Sequence, residues 1–386
     1  MTAAWPYRPQ MNVVESLEWL TDVFAAKRRE ERRCLRYMPR IVYTFKYILR
    51  DAEYGESREL ARVTGGDPIY VPDWTNETVI PTVYPGTASL PIDATFAPAY
   101  LSGGAALIWD SNTSYEVVTV SAVGSGTISI SATTATHHAP SVIPLRLGTF
   151  AQKLQGDRGP HSYTHVQAVF ECVVTEDLSG VGGGIGYPTY AGYQVITDVP
   201  EIINGAQESN VREVDVLDSM TGPIYKYPIF ATPNQSAFLA WTCYDAQDVW
   251  NRRLWLHSKK GKWKQFWTSS WNADVTITSN INPGDATIEI ASIGFATKYP
   301  DVSDWMIAST SGGGWFVQVI GATAGSSGHE LLRLADHFPG SAGLSGIDKM
   351  CKLTLSRLDS DKIDIQHLPG RQATIVVATK EVSVYP

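Results

Sequence analysis

A few short constellations in this chain hold side chains able to do chemistry. His161 and His165, in HSYTH (161–165), have the i, i+4 spacing of a zinc-binding pair on a helix. Their surroundings read as extended chain, where four residues at ~3.3 Å each set the two rings about 13 Å apart. One metal ion cannot bridge that gap. His137 and His138 are adjacent in a polar TTATHH turn and would point to opposite faces of a strand. Asp359, Asp361 and Asp364 resemble the opening of a calcium loop but lack the glycine and the distal glutamate. Glu176 and Asp177 give two carboxylates with no partner geometry for glycoside chemistry. The glycines of 180–186 fit no phosphate-binding pattern, and no G-x-S-x-G elbow is present. The sequence therefore predicts no catalytic group, no cofactor and no metal ion.

The residues that stand out are basic instead. KRREERRCLRYMPR (27–40) holds seven cations and two acids in a chain of net charge −8, leaving −13 on the remainder. A surface that coats nucleic acid should be basic over a wide area, so sequence-specific nucleic-acid binding is not expected. A strip of arginines suits a neighbour's carboxylates, because the planar guanidinium grips a carboxylate with two hydrogen bonds. Arg32, Arg33, Arg36 and Arg40 are the candidate contacts between subunits.

The chain has 12 Trp among 386 residues. Trp74 with Trp271, and Trp109 with Trp305, read as matched core positions of a repeated unit, since large aromatics are usually buried. Trp250, Trp255, Trp263 and Trp267 cluster without repeat partners and are candidates for an interaction surface.

Period-two alternation supplies the elements that position these residues. VYTFKYI (42–48), TISISAT (127–133), TIEIAS (287–292) and CKLTLSRL (351–358) read as strands. Residues 56–63 and 247–257 are the better helix candidates, and 12–25 fits either a helix or a strand. The chain also repeats itself. Adding 194 to Pro39, Asp51, Ala52, Arg58 and Leu60 gives Pro233, Asp245, Ala246, Arg252 and Leu254. Pro85-Gly86 is answered by Pro283-Gly284, and YEVVTV (115–120) by GWFVQV (314–319). The expected fold is mainly β, in two tandem, internally duplicated sandwich- or barrel-like halves with a few short helices. The halves are 1–178 and 195–386, joined by a Gly/Pro-rich connector (179–194).

Length and composition place the chain among ordinary globular proteins of two or three domains. Cys34, Cys172, Cys243 and Cys351 lie far apart, which predicts reduced, buried thiols in place of a disulfide scaffold. No signal peptide is visible, and no window reaches the ~20 apolar residues of a membrane helix, so membrane insertion is not expected.

ESLEWLTDVF (15–24), EERRCLRYMPR (30–40) and the aromatic strand that follows resemble the N-terminal block of distal-tail and related baseplate proteins of long-tailed bacteriophages and gene-transfer agents. YVPDWTNETVI (70–80) and FWTSSWNADVTI (266–277) resemble that family's aromatic segment, and IYKYPIF (224–230) the approach to a second copy. Two features depart from the family pattern: AAKRRE stands where a glycine turn is usual, and the chain is longer than a minimal one-domain member. The resemblance implies a virion structural protein of the tail tip, assembled in the host bacterial cytoplasm. It would form a ring of six or three copies and join the tail tube and tape measure protein to the baseplate hub and the receptor-binding or fibre proteins. The aromatic content leaves a carbohydrate-binding tail module as the alternative, which predicts rows of solvent-exposed tryptophan.

Overall fold

The computed structural model describes the whole chain except residues 1, 11, 27–28, 152–153, 160–161, 174–176, 182–183, 202–207, 212–213, 229–233, 300–301, 327 and 383–386. The protein is mainly β, with large antiparallel sheets. Its spine is one run of eight strands: β1 (Val13–Ala26), β2 (Arg29–Arg50), β3 (Gln155–Arg158), β4 (Tyr163–Cys172), β5 (Glu208–Val211), β6 (Asn234–Cys243), β7 (Lys362–Leu368) and β8 (Gln372–Glu381). Across the sheet the order is β3-β4-β2-β1-β7-β8-β6-β5, and every neighbouring pair is antiparallel. Strands from the two ends of the sequence meet at its centre, where β1 pairs with β7 from Val13↔His367 to Glu18↔Lys362.

The segment 12–25 is a strand. Val13, Glu15, Leu17, Trp19 and Thr21 all lie on its buried face. A carboxylate and a hydroxyl among the apolar residues blur a period of two, which is why the sequence alone also permits a helix.

Each half then follows one order of pairing. β2 leads into helix α1 (Asp51–Thr64), and β6 into helix α2 (Ala246–Lys259). Asp245 caps α2 through a hydrogen bond from the Asp248 amide at 2.8 Å, satisfying one of the free N–H groups of the first turn. After the helix, Ile69–Pro72 pairs with Ser141–Phe150, and Gln265–Ser269 with Ile347–Leu358. Ala105–Ser111 lies between Ser114–Val123 and Ser141–Phe150, while Ser303–Ser309 lies between Gly314–Ala324 and Ile347–Leu358. The chain reaches these strands through matching Pro-Gly turns. Gly86 (φ +86°) and Gly284 (φ +87°) both adopt the left-handed region that a side chain disfavours.

Two cores fill the first half, one around Trp5, Phe45 and Phe170, the other around Leu90, Val120 and Val142. The second half has a core around Phe295, Trp305 and Leu332. A second core there contains Trp241, Trp255 and Ile365 and takes in Leu17 and Trp19 from β1, and a smaller third lies around Trp267, Cys351 and Leu355. The halves therefore share a sheet and a core. The segment 179–194 does more than connect them: Tyr187 is buried, and the Tyr190 hydroxyl donates to Asp304 at 2.7 Å.

Candidate assembly surfaces

The basic strip lies on β2, in the hairpin arm that β1 and β2 form beyond the sheet. In the register of that arm, residues alternate between an inner and an outer face. Arg32 is on the inner face and donates to Gln265 Oε1 at 2.6 Å, with Glu30 at 3.5 Å. Arg36 donates to the Glu18 carbonyl at 3.1 Å, tying the arm to itself. Arg40 approaches Glu171 at 3.8 Å in the open. Arg33 is exposed. The four arginines thus divide: Arg32 and Arg36 are half-buried in contacts within the chain, while Arg33 and Arg40 face outward. Lys27 and Arg28 lie outside the described residues.

The outer face is also apolar. Phe24 is 57% exposed and Tyr37 55%, and Leu20, Leu35 and Met38 are exposed beside them. A second arm repeats this pattern in the second half, where Val214–Leu217 pairs with Tyr225–Pro228. Val214 faces Pro228 there as Thr21 faces Cys34 in the first arm, so Leu217 takes the place of Phe24 and Tyr227 that of Arg33. Leu217 and Tyr227 are 60% and 57% exposed. Exposed apolar residues on both arms make these arms candidates for an interaction surface.

The tryptophans are placed differently from the sequence expectation. Trp250, Trp255 and Trp267 are buried, and only Trp263 is half-exposed, with its ring edge-on to Tyr37 at 5.5 Å. The reason is the chemistry of α2, which is buried on most of its surface although it carries cations. Arg252 lies 4.1 Å above the Trp241 ring and 5.7 Å above that of Trp255, and Arg253 lies 5.4 Å above Trp250. The indole faces solvate the guanidinium groups. Trp74 and Trp305 are buried, and Trp109 and Trp271 are half-buried. Trp74 and Trp271 are matched by register, since Ile69 and Phe266 face Gly148 and Ser356 at the same places in their sheets. Trp109 and Trp305 are not matched. Trp109 faces Ser141, whereas Trp305 lies three residues earlier in its strand's register, opposite Lys352.

The seam between the halves carries the strongest electrostatics. Glu15 on β1 is fully buried and bonded to Arg253 of α2, and it accepts from His367 of β7 at 2.9 Å. Burial alone would raise the Glu15 carboxyl, but Arg253 and His367 outweigh it and hold the group at about 2. Beside them burial pushes His257 down to about 4, with Arg253 adding to the effect, and its Nδ1 accepts from the Leu178 amide at 3.4 Å. Ser16 Oγ donates to Asp364 at 2.6 Å across the same strand pair. Further along, Arg357 grips Glu30 with two bonds of 2.5 and 3.0 Å. A cleft of about 270 Å³ opens at this seam, lined by Arg8, Trp74, Glu77, Trp250 and Arg371 among others.

The remaining candidates have structural partners. Asp361 accepts from the Thr21 amide at 2.8 Å and the Lys262 amide at 2.9 Å, and Asp359 from Arg357 at 3.0 Å. These aspartates hold the loop against β1. His137, missed as a buried group by the sequence, sits between Asp110 at 2.7 Å and Glu116 at 3.2 Å. His161 and Glu176 lie outside the described residues, and Asp177 is bonded to Lys260 at 2.5 Å. Among the described residues no cluster of His, Cys, Asp and Glu is arranged to hold a metal ion, and no helix is long and apolar enough to cross a membrane. All four cysteines are buried.

The chain matches no protein-family model, and no curated protein matches it.

Proposed function

We propose that this chain is a virion structural subunit of a phage tail tip, forming a ring that joins the tail tube to host-recognition components. The observation that carries the reading is the seam. Two halves with one order of strand pairing are fused edge to edge in a single sheet, as two neighbouring positions of a ring would be. We infer from that order, and from the sequence repeat, that the halves arose by duplication. The halves 1–178 and 195–386 then correspond to two ring positions, with β1 reaching across to complete the second.

The motifs at 15–40 and 266–277 support a place in the tail, and the two arms supply surfaces for the neighbouring rings. Arg33 and Arg40 on the first arm are suited to a partner's carboxylates. A sugar-binding platform has less support, because none of the twelve tryptophans is exposed. Gold-labelled antibody raised against the chain tests the assignment on tailed particles produced by cells that express it. Label at the tail tip is expected; label confined to the capsid, or no incorporation into particles, contradicts the assignment.

A further inference from the structure

Among the described residues the central sheet ends in two edge strands, β3 on one side and β5 on the other. Among the described residues β3 pairs only with β4, and β5 only with β6. An open edge offers unpaired N–H and C=O groups to another strand. Here the chain itself contains the template for what should fill it.

The register of the two halves can be matched strand by strand. Leu49 faces Thr164 as Cys243 faces Ala373, which aligns β2 with β6 and β4 with β8. Through those partners, Gln155, Gly156 and Arg158 of β3 hold the places of Asp364, Ile365 and His367 of β7. Glu15 and Ser16 face Tyr43 and Val42, and Glu208 and Ser209 face Ala237 and Ser236, so the Glu-Ser pair recurs at one place in β1 and β5. The edge β5 is therefore the counterpart of β1, and the edge β3 is the counterpart of β7. Within the chain those counterparts are already paired, with Glu15 opposite Ile365 and Ser16 opposite Asp364.

We propose that β5 of one copy pairs antiparallel with β3 of a second copy, repeating between chains the β1–β7 junction found within the chain. The register sets Glu208 opposite Gly156 and Ser209 opposite Gln155. Arg158, two residues from Gly156 on the same face, then takes the register place in this junction that His367 takes in the β1–β7 pair. Arg158 is exposed, as are Gln155 and Asp157, so the edge is open to a partner. The place of Arg253 is taken on α1 by Glu59, which is exposed and bonded to Arg62 at 2.5 Å. Arg158 is thus the cation of this junction, and the contact between chains is weaker than the one within a chain. Such head-to-tail pairing is heterologous and closes into a ring when its rotation permits. Closure alone rests on the ring reading above; the strand pairing follows from the register.

Cysteine cross-linking tests the pairing. In Ser209→Cys/Gln155→Cys the new thiols lie on opposite margins of one sheet, seven strand spacings or roughly 33 Å apart measured along it, and dilution, which suppresses only the cross-link between chains, separates that product from any closed within one chain. Oxidation should give a ladder of dimers and larger species on a non-reducing gel, with little from Ser209→Cys/Asp157→Cys, which is out of register. Arg158→Glu should lower the yield about tenfold through like-charge opposition, and adding Glu208→Arg should restore it. Light scattering of the parent chain separates the two ideas. Ring-sized mass without the in-register ladder overturns the edge pairing and leaves the ring; a monomeric parent chain without a ladder overturns both.

Discussion

Glu15 shows how one residue ties the two halves together. Its carboxylate is buried between a helix and a strand that both belong to the other end of the sequence. Removing one partner of a buried ion pair leaves an uncompensated charge, so Arg253→Met should destabilise the fold by about 3–5 kcal/mol; a denaturant titration checks this. The same cluster sets the response to acid. His257 and Glu15 both have values depressed below the ordinary 6.5 and 4.5. The unfolded chain then binds more protons, and stability falls as pH drops. His257 contributes its loss between about 6.5 and 4, and Glu15 between about 4.5 and 2. The melting temperature should fall through both windows, and His257→Gln should flatten the upper one. An unchanged slope from pH 6.5 to 4.5 in that variant would remove His257 from the account. None of this cluster was legible in the sequence, because Glu15 and His367 are brought together by pairing across nearly the whole chain.

At the level of elements, the sequence revealed what local physics controls. Strands appeared through their alternation, and 247–257 as a helix candidate, which the structure extends to Ala246–Lys259 behind the Asp245 cap. Trp74 and Trp271 follow Ile69 and Phe266 at the same spacing, a regularity the sequence displays directly. Trp109 and Trp305 misled, since a match of one aromatic in a short strand does not fix register, and the two strands are offset by three residues. The tryptophans of α2 misled for a different reason. A helix bearing Arg252, Arg253 and Lys259 reads as a surface, and its burial depends on rings and carboxylates contributed from elsewhere. The arms give a prediction at this scale. Arg33→Glu and Leu35→Asp alter only exposed positions, so the melting temperature should hold while self-association or attachment to tail components weakens. Assembly equal to the parent chain in both variants would mean that the outer face of the first arm has no partner. By contrast, Trp305→Ala should cost about 3–5 kcal/mol without any selective effect on assembly beyond the loss of fold.

Among the described residues the central sheet has an open edge at each side, and two hairpin arms carry exposed apolar residues. On the proposed edge pairing, each subunit takes a defined next neighbour on either side. If copies join by the junction that already joins the halves, arms of two kinds alternate around the assembly, one bearing Arg33 and the other Tyr227 at the same place. The charge distribution fits that arrangement, with exposed arginines on one arm and a surplus of acid over the rest of the chain. The most direct test of the central claim is the copy number of the purified, full-length protein, read from class averages in negative-stain electron microscopy. The account predicts closed rings of three or six chains, with the two kinds of arm alternating around them. A population of single particles with no closed rings, at concentrations where Ser209→Cys/Gln155→Cys gives no ladder, would contradict it.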